Sequence, residues 1–279
     1  MTAKIVLTVA ALTLREVARR RVLRALAVLT AVLLGLSAWG FSRIDAEFGG
    51  LTSGEALMAA TIVLNLVMFG LSLIAALGTA FLAGPSMAGE IESGIALAVL
   101  ARPVRRAAVL LGKWLGLVAF GSGFVLAAGF AQLLIVRFTT GYQSPQPVAG
   151  LVLLAFQTTV LLTLGLLLST AISPMASGIV AVGLFGAAWV AGVVGGVGTA
   201  LGNDSVAQVG TVSRMILPTD GLWRGAMYAF QDPILLSPQL IGHPLVGDAP
   251  LTGPYLGWAA VWVALVAGLA ALAFQRRDL

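Results

Sequence analysis

Residues 89–116, GEIESGIALAVLARPVRRAAVLLGKWLG, separate two long apolar runs with two carboxylates, a proline and four basic residues. Upstream, Gly84 and Pro85 can end the preceding run. Residues 91–101 then make at most three helical turns, about 16 Å, against about 30 Å of hydrocarbon in a bilayer. Such an element buries its apolar side without spanning. Arg102 precedes Pro103, which disfavours the α conformation and stops the helix. The chain can then turn, with Arg105, Arg106 and Lys113 anchoring the base of the next run by snorkelling. The stretch reads as a short amphiphilic hairpin at a membrane surface, with Glu90 and Glu92 at its start and arginines at its end. The plainer alternative is an anchoring loop whose carboxylates pair with its own basic residues.

The surrounding chain is that of a membrane protein. Over 279 residues it is 59% hydrophobic and 10% charged, with a mean hydropathy of +1.02. Runs long enough to span fall at about 22–42, 56–83, 107–136, 149–172, 176–200 and 254–274. They are far too long for tilted barrel strands, so the expected fold is an all-α integral membrane protein with six transmembrane helices in one domain, 1–279. Six crossings put both termini on one side. If that side is the cytoplasm, it holds 12 of the 16 basic residues, leaving only Arg43, Arg137, Arg214 and Arg224 outside. The positive-inside rule therefore places both termini and the 84–106 loop in the cytoplasm of a multi-pass protein of the cell membrane. A net charge of +5 would suit nucleic acid, but these charges cluster beside apolar spans as juxtamembrane anchors do, so no nucleic-acid partner is expected.

Two flanking segments have their own signatures. Residues 3–20 read as an interfacial helix, with Ile5, Leu12 and Val17 toward lipid and arginines toward headgroups; the basic cluster that follows argues against a cleaved signal. The 201–253 segment, expected outside, contains PTDGLWRGAMYAF at 218–230. Thr219 or Asp220 can cap a short helix there, whose Leu222, Trp223, Ala226, Met227 and Phe230 share a face. Such a helix lies in the outer interface or re-enters it. Five prolines between 233 and 254 then rule out a continuous helix.

The chain carries little catalytic chemistry. It has no cysteine and one histidine, His243, so a two-histidine metal site cannot form within it. No GxxxxGK[ST] motif occurs, so no cofactor is expected in this chain and no ATP by that route. Polar residues inside the spans are uncharged, among them Asn65, Gln132 and Gln157, and are read as interhelical hydrogen-bonding groups or substrate contacts. With no ionisable group in mid-span, a self-powered carrier is not expected and energy must come from elsewhere. A membrane hydrolase is set aside too, because His243 falls on the opposite side from Glu90 and Glu92.

The pattern GEIESGIALAVLARPVRRAAVLLGK resembles the E-x-E-x-G…L-x-x-P-x-x-R…L-x-G-K signature of type-two, exporter-like ABC transporter permeases, including the permease of copper-enzyme maturation systems. The basic N-terminal helix, six spans, long outer segment and terminal FQRRDL resemble that family too; Ile95 after Gly94, where relatives often have Thr, is a mild departure. The resemblance implies that 86–102 forms a coupling helix docking on a separate ATPase subunit. Glu90, Glu92 and Gly94 would sit at the docking end, and Arg102, Pro103, Arg105, Arg106 and Lys113 would fix the return into the third span. It also implies two permease copies, as a homodimer or with a related permease, and two ATPase copies holding ATP and Mg. Asn65, Met68, Gly192 and Gly196 become candidates for the pathway or dimer interface, since the fifth span carries a GxxxG at 192–196. Internal packing of that glycine face is the equal alternative. A third function class is a non-transporting transmitter, in which the outer segment passes ATPase motion to an extracytoplasmic partner.

Overall fold

The computed structural model describes residues 2–49, 54–93, 105–231, 243–247 and 249–276. Nine helices lie among them, and six are long and apolar enough to cross a bilayer. The six are α2 (Arg21–Phe48), α3 (Gly54–Glu92), α4 (Arg106–Thr140), α5 (Pro147–Ala171), α6 (Pro174–Ala200) and α9 (Gly253–Arg276). Each covers one of the six expected runs. α5 is the central helix, packed against α3, α4, α6 and α9. Its apolar stretch is correspondingly the most buried of the six.

Local chemistry sets most boundaries. α2 and α4 stop at Gly49 and Gly141, with φ of +65° and +72°, a conformation that a β-carbon resists. Their amides donate back to the carbonyls of Asp45 and Arg137 at 2.9 and 3.0 Å, closing the last turn. α5 and α6 open on Pro147 and Pro174, where the missing N–H would have had no partner in any case.

α3 departs from the expected boundary at 84–85. It continues through Pro85 to Glu92, 39 residues in all, about 58 Å of rod. Proline is tolerated inside a membrane helix where neighbouring groups re-satisfy the local backbone. In the same turn the Ser86 hydroxyl adds a bond to the Ala83 carbonyl at 2.7 Å. α6 also packs flush on this turn: a β-carbon at Gly84 would lie 2.8 Å from the Pro174 carbonyl oxygen. Ile91 and Glu92, expected to open a separate short helix, therefore belong to α3, and residues 94–104 lie outside the described set.

The bundle has two distinct ends. At the near end, Val17, Met87, Leu110, Leu117, Leu166 and Phe274 form one core cluster. At the far end, Phe41, Leu64, Met68, Leu151, Trp223 and Phe230 form another. The amphipathic helix α1 (Thr2–Arg19) docks on the near end of α4 through Val6, Ala10, Thr13 and Val17. Gly116 permits the approach, since a β-carbon there would lie 2.8 Å from the Ala10 carbonyl. Val17, expected toward lipid, is thus a core residue, while Leu7 and Leu12 keep the exposed apolar face.

Two helices fill the far side between α6 and α9: α7 (Asp204–Ile216) and α8 (Thr219–Phe230). The chain leaves α6 through Gly202, φ +65°, and Asn203 caps α7 by accepting the Val206 amide at 3.2 Å. α7 then runs back down α6, with Gly198 against Ala207 and Gly195 against Gly210. At the bottom of this return Leu217 packs with Val160, Leu164 and Val263, level with the middle of α5. α8 climbs back until Phe230 meets Gly150 near the start of α5. The pair is a re-entrant hairpin, and every residue of α8 except Tyr228 is buried. The sequence admitted an interfacial or a re-entrant helix; the structure is re-entrant.

Candidate functional site

Two polar clusters occupy the two ends of the bundle. At the near end, the last turns of α3 run beside the first turns of α4. Lys113 is buried; its Nζ donates to the Ser86 carbonyl at 2.5 Å and forms an ion pair with Glu90. A snorkelling Lys113 was expected, but Glu90 and the Ser86 carbonyl offer partners inside the protein, so the ammonium turns inward. Arg106 reaches the other way, donating from Nη1 to the carbonyls of Phe274 and Gln275 at 3.4 and 3.3 Å. Arg105 is the exposed residue before α4, its carbonyl accepting the Ala108 and Val109 amides. Glu92 is exposed at the end of α3. Gly94, Arg102 and Pro103 lie outside the described residues. Of the expected coupling residues, then, Glu90, Lys113 and Arg106 knit α3, α4 and α9 together, while Glu92 and Arg105 face outward.

At the far end the re-entrant hairpin carries charge into the bundle. The fully buried Asp220 carboxylate accepts Nε of Arg214 at 2.9 Å and Nε of Arg224 at 3.1 Å. Arg224 is itself buried and donates from Nη1 to the Val246 carbonyl at 3.3 Å, while its Nη2 has no hydrogen-bond partner among the described residues. The Tyr255 hydroxyl donates to the Arg214 carbonyl at 3.3 Å. Neither Thr219 nor Asp220 caps α8 as expected, because Asp220 is spent on the two arginines; the helix starts after Pro218 without a side-chain cap. Asp220 lies against Gly192, from which α6 rises about 12 Å to its end at Ala200. Ionisable groups are therefore packed beside the spanning helices, on a hairpin rather than on a span. Each of its helices is too short to register in a span-length hydropathy window.

The expected pathway residues are all internal. Asn65 is fully buried and donates to the Leu245 carbonyl at 2.7 Å, tying α3 to the outer segment. Met68 packs in the far core with Trp223 and Phe230. Gly192 gives Asp220 its space, and Gly196 is buried on the same helix. Of the two readings of that glycine face, internal packing accounts for Gly192, with α8 as the partner. Gln132 donates to the Ser37 hydroxyl at 2.6 Å, and Gln157 accepts from Ser72 at 3.2 Å, both between helices. The sequence offers Asp220 only as a possible cap of α8 and Arg214 and Arg224 only as charges on the outer side, and does not single out Tyr255. The available signal was Asp220 and Arg224 at i, i+4 in a short apolar helix, together with two of the four basic residues counted outside.

No protein-family model matches this sequence, and no curated protein matches it. The structure establishes a multi-pass α-helical membrane protein.

Proposed function

We propose that this chain is the membrane-spanning subunit of a type-two, exporter-like ABC transporter, coupling ATP hydrolysis on a separate ATPase subunit to substrate movement. The observation that carries the reading is mechanical. The charged stretch 89–106 joins two helices that are locked to each other at its base by the Lys113–Glu90 pair and the Lys113–Ser86 bond. One of them, α3, continues unbroken to the far end of the bundle. A displacement applied at that junction would travel along a rod and reach the far core as a rigid-body motion. On this reading the near end is cytoplasmic, as the basic residues require, and ATP and Mg belong to the partner.

A second copy of the chain has a face to meet. α3 and α6 leave an open apolar groove of about 700 Å³ lined by Leu77, Phe81, Met175, Ile179 and Gly183. The transmitter alternative draws on a different contact, the Asn65–Leu245 bond, through which motion of α3 would reach the outer segment directly.

Glu92 gives the clean test of coupling, because it is exposed at the end of α3 whereas Glu90 is held in an ion pair. Glu92→Lys should leave insertion and folding intact and reduce co-purification of an ATPase from the native host. Full retention of that ATPase and of its membrane-stimulated hydrolysis would sink the coupling assignment. Transport of a labelled substrate into sealed vesicles separates an exporter from a transmitter.

A further inference from the structure

We propose that the far-side cavity between α7, α8 and α9 is a binding site for a phosphate-type oxyanion, free or as the headgroup of an anionic lipid. The cavity holds about 240 Å³ and is lined by Arg214, Arg224, Thr252 and Tyr255 together with Gly221 and Gly225. Its charge is unbalanced among the described residues: two guanidiniums share the single carboxylate of Asp220. Arg224 is 6% exposed, with Nε and Nη1 engaged and Nη2 enclosed by protein, so it lends the cavity positive charge rather than an open donor. A planar guanidinium matches phosphate oxygens in geometry, and a second buried cation beside it strengthens the attraction. Arg214 is about one-third exposed and spends Nε on Asp220, so its guanidinium can meet a ligand entering from outside.

The site is also built by close backbone approach. A β-carbon at Gly221 would run into the Tyr255 ring and hydroxyl, and one at Gly225 into Leu251. Ionisable groups held at membrane depth point by default to a ligand or relay role. α7 and α9 expose Met215, Ile216 and Trp258, an apolar surround suited to acyl chains. This inference rests on the cavity alone and is independent of the permease reading.

The test uses the full chain, followed by tryptophan fluorescence during thermal unfolding. One arm titrates inorganic phosphate against chloride at matched ionic strength in neutral detergent. The other compares nanodiscs of phosphatidylcholine with and without phosphatidylglycerol. Stabilisation in the first arm identifies a free oxyanion, and stabilisation in the second alone identifies a lipid headgroup. Arg214→Gln should weaken the response about tenfold, the worth of one charge-assisted hydrogen bond. Arg224→Gln leaves Asp220 with Arg214 as its one remaining charged partner among the described residues and ties that arginine up further, so the charge-balanced double variant Asp220→Asn with Arg224→Gln is measured beside it; both should weaken the response. Asp248, outside the described residues, is tested as Asp248→Asn. Should that variant gain a response which the wild type lacks, Asp248 already balances the charge and the proposal fails. No response in either arm, or one unchanged in Arg214→Gln, overturns it equally.

Discussion

Removing Glu90 should cost more than removing the lysine it pairs with. The Lys113 side chain is 7% exposed and that of Glu90 25%. Glu90→Gln therefore leaves a buried ammonium with only the Ser86 carbonyl and a neutral amide. Breaking a buried pair from one side typically costs about 3–5 kcal/mol; with Glu90 partly solvated and Ser86 retained, we expect about 2–3 kcal/mol. Lys113→Met instead removes the buried cation and returns apolar volume to a site beside Leu110 and Leu117, leaving a carboxylate that water can reach. Its expected cost is about 1 kcal/mol. The double variant should then match Lys113→Met alone, giving a coupling energy of about 2 kcal/mol. Trp114, whose Nε1 donates to Thr163 of α5 at 2.9 Å, reports unfolding at this end. Denaturant unfolding in micelles, followed by its fluorescence, gives the four corners of the cycle. Two single losses that simply add would show that the pair is not coupled and that α3 and α4 are not locked there.

Three further substitutions separate internal packing from contacts between copies. Gly192→Ala should lower unfolding stability by about 1–3 kcal/mol, because the new methyl would occupy the space of the Asp220 carboxylate; loss of a dimer at unchanged stability, seen by native mass spectrometry, would contradict this. Gly183→Trp, where no atom lies within 4 Å of the new β-carbon, should change monomer stability by less than about 0.5 kcal/mol. If a second copy fills the α3–α6 groove, the dimer fraction should fall in the same variant. Asn65→Leu should cost about 0.5–1 kcal/mol, the usual worth of a hydrogen bond in a membrane protein, and raise hydrogen exchange around Leu245.

The spans were legible because hydropathy saturates: a run of 20 apolar residues has few soluble alternatives, and Gly49, Gly141, Pro147 and Pro174 mark the ends by backbone conformation alone. Pro85 misled because its local rule is a soluble-helix rule. In the membrane the helix persists, with Ser86 bonding back to Ala83 and α6 pressed onto the next turn. The depth of the hairpin was illegible for a related reason. α7 and α8 are 13 and 12 residues long and carry Arg214, Asp220 and Arg224. Asp220 pairs with both arginines and α8 is buried against α5, α6 and α9, contacts that no local window contains. The glycines of α6 were visible as a small face, but only the fold shows that α7 and Asp220 occupy it.

The two ends of the bundle differ in how completely their polar groups are satisfied. At the near end the buried ammonium of Lys113 has both a carbonyl and a carboxylate. The buried side-chain atoms without partners, among the described residues, fall instead toward the far end: Asn65 Oδ1, Gln132 Oε1, Trp189 Nε1, Thr219 Oγ1, Trp223 Nε1, Arg224 Nη2 and both amide atoms of Gln231. A fully bonded polar network rigidifies its surroundings, whereas a partly bonded one lowers the cost of local rearrangement. Aromatic packing holds the far end together meanwhile, Phe69 lying 4.6 Å from Trp189 and 5.8 Å from Trp223, and such contacts tolerate sliding better than directional bonds do. One long helix, α3, thus joins a base whose buried cation is fully paired to a far core that holds the unpartnered polar atoms.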